Sequence, residues 1–156
     1  MLLGRLQQIL EEKTNCEEKT KKQFCKVIID LPAKIFDTEN DKGKQLLEKH
    51  GMKKYCDCVI LLLETNWILV IEILCGELIP KELDSKKQQV ITWRKILQQE
   101  LTKVKVWGLI IFFKHSLKEF QRQQLNLRRK GIFLEQFKRS RFPHIKLTEL
   151  LKLTLT

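Results

Sequence analysis

Tyr55–Leu78 reads YCDCVILLLETNWILVIEILCGEL, and this stretch decides the architecture. Val59–Leu63 and Trp67–Cys75 are apolar runs that do not alternate, and Glu64-Thr65-Asn66 lies between them. Such a pattern predicts a hairpin covered on both faces, hence the middle of a sheet with layers above and below. Two acids interrupt it. Asp57 precedes the first strand, and Glu72 stands in the second within LVIEIL. Folding the hairpin about Thr65-Asn66 brings both acids near the same end, within a residue or two across the ladder. A carboxylate in such a run is costly to bury unless its charge is compensated. A divalent cation shared by the two is one compensation. A lysine partner or a solvated sheet edge is the other.

Outward from the hairpin, Leu2, Leu3, Leu6, Ile9 and Leu10 recur at helical spacing, which predicts a helix over 2–13. The charged run Glu17-Glu18-Lys19-Thr20-Lys21-Lys22 reads as its continuation or solvated end. Val27-Ile28-Ile29, stopped by Asp30-Leu31-Pro32, predicts a strand, and 37–43 is turn-rich. Lys44–His50 predicts a short helix ended by Gly51. Downstream, Ser85 caps a predicted helix to Leu101, with Lys86, Val90, Trp93, Leu97 and Leu101 in one stripe. KVKVWGLIIFF (103–113) predicts a strand, Leu117–Leu127 a helix, and Ile132–Phe137 a last strand. Beyond Pro143, residues 145–153 close the chain as a short helix. The expected class is α/β, a central mixed sheet flanked by helices with an αβββαβ core, in one domain over 1–156.

The 156 residues are 43% hydrophobic and 31% charged, too apolar for a disordered chain. No apolar run approaches the roughly 18–20 residues of a membrane span, and MLLGRLQQILEE has no signal-peptide pattern. The net charge of +11 is lopsided: residues 1–84 sum to −2 and residues 85–156 to +13. A basic half of this kind suits a polyanion, nucleic acid first. Nine cations lie between 114 and 141, namely Lys114, Lys118, Arg122, Arg128, Arg129, Lys130, Lys138, Arg139 and Arg141. Phe133, Phe137 and Phe142 interleave with them and can either stack on bases or pack in a core. The five cysteines, Cys16, Cys25, Cys56, Cys58 and Cys75, lack zinc-site spacing. They read as buried thiols in a reducing cytoplasm. The motifs of P-loop, dinucleotide-binding, serine-hydrolase and zinc-protease folds are missing.

The element order with Asp57 and Glu72-Ile73-Leu74 resembles the PD-(D/E)XK nuclease superfamily, over about residues 25–113. The resemblance implies a microbial or viral Mg²⁺- or Mn²⁺-dependent nuclease, with DNA the more usual substrate. It implies metal ligands at Asp57, Glu72 and the Ile73 carbonyl. The family pattern has a lysine where this chain has Leu74. That departure leaves two expectations: an inactive nucleic-acid-binding module, or a lysine supplied from elsewhere. Lys86, on the apolar stripe, is the candidate for relocation, and Lys87 points about a quarter-turn away. Gln89 borders the stripe and can bond to the site or the substrate. Glu11, Glu12, Glu77 and Glu82 are weaker candidates for further ligands. The expected function is therefore phosphodiester hydrolysis catalysed by Asp57, Glu72 and Lys86, with no membrane partner and a homodimer left open. A small protein–protein adaptor is the reading from a different class.

Overall fold

A computed structural model describes residues 1–19 and 24–154. In chain order the elements are α1 (Leu2–Ile9), β1 (Glu11–Lys13), β2 (Cys16–Lys19), β3 (Phe24–Ile28), β4 (Ala33–Asp37), α2 (Asp41–Lys49) and β5 (Cys58–Leu62). There follow β6 (Ile68–Leu78), α3 (Pro80–Glu100), β7 (Val106–His115), α4 (Phe120–Arg129), β8 (Ile132–Gln136), β9 (His144–Lys146) and α5 (Leu147–Thr154). The fold is α/β. A mixed six-stranded sheet runs β1-β4-β5-β6-β7-β8, and a second sheet runs β2-β3-β9. β4, β5 and β6 pair antiparallel, whereas β6, β7 and β8 pair parallel.

The unalternating β6 is explained by what covers it. Ile68 and Val70 face α3 and pack with Val90, Trp93 and Leu97. Leu69, Ile71 and Ile73 face the other way, onto Cys16, Cys25 and Val27 of the small sheet and Leu147 and Leu150 of α5. Each fully buried side chain of this size contributes about 1.5–3 kcal/mol of transfer free energy. Gly108 on β7 lets α3 approach closely, because a Cβ there would collide with Val90. Among the described residues no helix is long and apolar enough to cross a membrane.

Several local expectations change. The first helix stops at Ile9, and the chain turns at once into β1. Glu17–Lys19 is strand rather than helix, and residues 20–22 lie outside the described residues. The strand around Val27 belongs to the small sheet. The hairpin's neighbour in the main sheet is β4, a segment whose Ala-Lys-Ile-Phe-Asp composition is weakly strand-like. α3 begins at Pro80, where proline suits the first helical position, so Lys86 lies in its second turn. α4 starts at Phe120 rather than Leu117, and β9 precedes the final helix.

The cysteines overturn the expected cytoplasmic, reducing location. Cys16 bonds to Cys58 and Cys25 to Cys75, with Cα atoms 5.6 and 5.7 Å apart. Cys56 is a buried free thiol. Disulfides persist in oxidising surroundings, so the pairs point to an extracellular or secreted setting. Burial of the four sulfurs could be read from the sequence, but their pairing could not. The partners are 42 and 50 residues apart in the chain and meet only when the small sheet lies across β5 and β6.

Candidate active site

The register places Cys58 opposite Ile71, so Asp57 and Glu72 face each other one position beyond the last β5–β6 pair. The Leu62 N–H bonds to the Trp67 carbonyl, which sets the odd-numbered β6 residues as those that bond toward β5. β5 leaves the sheet at Asp57. The next β6 donors, Ile73 N–H and Cys75 N–H, therefore lack strand partners. Carboxylates take their place. Asp57 Oδ2 accepts from Ile73 N at 2.6 Å, and Glu18 Oε1 accepts from Cys75 N at 3.1 Å. In the reverse direction, Asp57 N donates to Glu72 Oε2 at 2.6 Å. The site thus sits at a fork where β6 keeps its parallel neighbour and loses its antiparallel one.

The segment that departs from the sheet is held by side chains from three directions. Trp93 Nε1 donates to the Lys54 carbonyl at 2.8 Å, and Gln89 Nε2 donates to that of Tyr55 at 2.7 Å. Thr38 Oγ1 donates to the Cys56 carbonyl at 2.8 Å, and Lys13 Nζ donates to that of Asp57. Four consecutive carbonyls are each satisfied, as buried backbone outside a sheet requires. Thr38 also accepts from Cys56 N at 3.0 Å. Its own position depends on Gly43, because a Cβ at residue 43 would collide with the Thr38 carbonyl. Gln89 therefore serves the site by fixing the Tyr55 backbone.

Glu72 has no exposed surface. Lys86 reaches it from the second turn of α3, with Nζ 3.1 Å from Glu72 Oε1 and 3.7 Å from Glu18 Oε2. The Lys86 side chain is 14% exposed, as its place on the apolar stripe implies. Leu74 shares the face of Glu72 but packs against the core below α3. A basic group thus stands beside Glu72 although the strand position is apolar. Three carboxylates, Asp57, Glu72 and Glu18, converge on this one ammonium. Lys13 is engaged with Asp37 at 3.6 Å.

The electrostatics follow from that imbalance. Burial, and then the charge of Asp57, push Glu72 up to about 8. Burial pushes Asp57 up to about 6, against the lowering effect of the Ile73 N–H and Lys86. Lys86 is raised: burial opposes its charge, but Glu72, Asp57 and Glu18 favour it and prevail. The native state therefore holds protons that the unfolded chain releases above about pH 4. In EDTA, the melting temperature is expected to fall as pH rises from about 4 to about 8. Glu135, raised to about 7 by burial, acts in the same direction, so Glu72→Gln is needed to isolate the site. Differential scanning fluorimetry across that range checks this. A wild-type melting temperature that rises with pH, or a slope that Glu72→Gln leaves unchanged, contradicts it.

The donor set at the fork is all oxygen. Two carboxylates lie side by side. The Ile73 carbonyl shares the open strand edge with its N–H, because a strand residue presents both on one side. Hard oxygen donors of this kind fit Mg²⁺ or Mn²⁺, with water completing the shell. Among the described residues no three His, Cys, Asp or Glu side chains form a ready-made metal cage. Asp57 and Glu72 with one main-chain oxygen are thus the candidate ligands, and Glu18 approaches through Lys86. Glu11, Glu12, Glu77 and Glu82 make no hydrogen bond or ion pair with Asp57, Glu72 or Lys86, and Glu12 instead lies 4.0 Å from Lys34. Glu18 was missed because its charged run reads as solvated helix. As a strand, Cys16-Glu17-Glu18 would have put Glu18 on the face of the buried Cys16.

All nine cations between Lys114 and Arg141 are exposed, but they do not form one patch. The fork lies midway along the parallel strands, Glu72 standing level with Ile110 of β7 and Ile110 with Leu134 of β8. Lys114 in the last residues of β7, Lys118 just after β7, and Lys138, Arg139 and Arg141 after β8 lie at the C-terminal ends of those strands, and Arg122 is in the first turn of α4. Arg128, Arg129 and Lys130 end α4 and lead into the start of β8, which is the opposite end of the strand. Acids engage several: Lys138 and Arg141 meet Glu149 at 2.8 and 3.2 Å, and Arg122 meets Glu119 at 3.6 Å. Arg128 lies 3.9 Å from Glu135 and over the Phe133 ring. Phe133 and Phe137 are buried, and the half-buried Phe142 packs on that core with its ring 4.1 Å from that of Phe113, so these rings pack the core rather than await bases.

Beside the fork opens a cleft of about 400 Å³ lined by Glu39, Lys53, Lys54, Tyr55, Cys56, Asp57, Ser85 and Gln89. Compared with models of protein families, with curated proteins and with solved structures, the chain matches none.

Proposed function

We propose that the protein is a metal-dependent nuclease that hydrolyses phosphodiester bonds, acting on DNA in preference to RNA. One observation carries this reading. The buried Glu72 carboxylate and the half-buried Asp57 carboxylate face each other at an open strand edge, with an ammonium 3.1 Å from Glu72. A structural ion pair needs one acid and one base. Here Glu18 joins Asp57 and Glu72 against Lys86, and the cluster is short of positive charge. Burying such an excess is unfavourable unless a cation or protons compensate it. The likeness to the PD-(D/E)XK superfamily supports the same chemistry.

In this reading Asp57, Glu72 and the Ile73 carbonyl hold Mg²⁺ or Mn²⁺. When bound, such an ion neutralises a non-bridging phosphate oxygen and lowers the pKa of a water. The residues themselves do the rest. Ile73 N–H and Asp57 N–H lock the two carboxylates in orientation, so little reorganisation remains for the reaction. Lys86 has three N–H donors and gives one to Glu72. With Glu18 3.7 Å away on one side, a remaining donor can orient the attacking water and meet the charge that develops on phosphorus oxygens. Lys114, Lys118, Lys138, Arg139 and Arg141, the cations at the C-terminal ends of the parallel strands, serve as phosphate contacts.

The test is incubation with single-stranded, linear duplex and circular DNA, with RNA alongside, in Mg²⁺, Mn²⁺ or EDTA. Cleavage in metal that stops in EDTA is expected. Salt-sensitive binding without cleavage in any metal would leave a binding module of this fold. Absence of both would leave the adaptor.

A further inference from the structure

One wall of the cleft beside Asp57 comes from the half of the chain whose net charge is negative, yet two exposed lysines, Lys53 and Lys54, stand on it. The opposite wall is the first half of α3, with Ser85 and Gln89. Asp57 belongs both to the carboxylate pair and to this lining, so the cleft reaches one of the two carboxylates. Its backbone is rigid. The carbonyls of Lys54, Tyr55, Cys56 and Asp57 are each tied by a side chain from another element. The Lys54 ammonium spans to α3, 3.3 Å from Gln88 Oε1 on an exposed surface.

From this geometry, and resting on the nuclease reading above, we propose that the cleft seats one nucleotide of a single strand. Lys53 and Lys54 hold the phosphate adjacent to the one attacked. Three features support this. Its volume of about 400 Å³ is at the small end of ligand sites and suits one nucleotide rather than a duplex. Its cations are exposed lysines, which meet a phosphate as point charges. Its lining is mostly polar and holds a single aromatic ring, that of Tyr55, which suits one base rather than a stack of bases. A strand held there runs past Asp57, with Ser85 Oγ and Lys53 on its two sides. The substrate is then single-stranded where it is cut, as in a free single strand, a flap or a frayed end.

The experiment uses the full chain and a 5′-fluorescein single-stranded oligonucleotide. In EDTA, anisotropy titrations at several salt concentrations give binding constants for wild type and for Lys53→Gln/Lys54→Gln. The double variant is expected to bind about tenfold more weakly, with the log–log salt slope reduced by roughly 1.4, as two lost contacts to a single strand predict. In Mg²⁺ its KM for the oligonucleotide should rise about tenfold with kcat within about twofold, since the lysines bind substrate away from the reacting atoms. A blunt duplex of the same sequence should be cut far more slowly by wild type. Equal hydrolysis of bis(p-nitrophenyl) phosphate by the two proteins would show that the chemistry is intact. If wild type cleaves neither substrate, the nuclease reading fails, and the salt slope still decides the phosphate site. An unchanged slope, or duplex cut as readily as single strand, overturns the proposal.

Discussion

Glu72→Gln is expected to reduce metal-dependent cleavage by about a thousandfold or more, the scale of losing charge stabilisation at a reacting phosphate. The amide keeps the shape of the side chain, and its oxygen can still accept from Asp57 N–H, so the fork should fold. What disappears is the charge that a cation needs. Asp57→Asn should act the same way through the other side of the pair. Both variants remove a carboxylate that burial disfavours, so in EDTA their melting temperatures should equal or exceed that of wild type at neutral pH. Their affinity for an oligonucleotide in EDTA should be equal or higher, because a negative charge near phosphate is gone. The measurements are a cleavage time course, a melting curve and an anisotropy titration on the same preparation. A variant that melts like wild type and cleaves like wild type would remove Asp57 and Glu72 from the chemistry.

Lys86→Met should lower kcat by about a hundredfold while the KM for DNA changes little, the pattern of a donor that acts as charge develops. Methionine keeps most of the aliphatic stem along α3, so packing is largely retained. The loss leaves Glu72 without its 3.1 Å partner. A lower melting temperature in EDTA, restored by Mg²⁺, should accompany the drop in rate. Lys87→Ala is the control and should be nearly silent, since its side chain leaves the stripe that faces the sheet. Equal rates for the two lysine variants would show that Lys86 is only a structural counter-ion. The chain would then fit the inactive binding module better.

Much of the main sheet was legible in the sequence because apolar runs report burial. VILLL and WILVIEILC could lie only in a covered hairpin, and the bipartition of β6 between α3 and the small sheet is what that composition demanded. Asp57 and Glu72 could be found because acids in such runs are anomalous. Lys86 could be found because a helix repeats at 100° per residue, and only one lysine fell on the stripe with Val90 and Trp93. By contrast, β4 was hidden in a segment with little strand character. It is held in place by β5 rather than by its own preference.

What the sequence by itself determined is thus the layer order, the acid pair and the side of α3 that faces it. Each depends on spacing within one element or on one hairpin, which local geometry dictates. Tertiary structure alone decided the rest. Glu18 reaches Lys86 and Cys75 N–H because the small sheet crosses the main one, held there by Cys16–Cys58 and Cys25–Cys75. The same pairing moved the protein from a reducing to an oxidising setting. The basic half, a single block in the sequence, is divided because α4 carries Arg128–Lys130 to the far end of the parallel strands. Lys53 and Lys54, lost among the acids of the first half, line the cleft at the fork. Net charge is summed along the chain, whereas a phosphate meets only the charges that folding brings within a few ångströms of it.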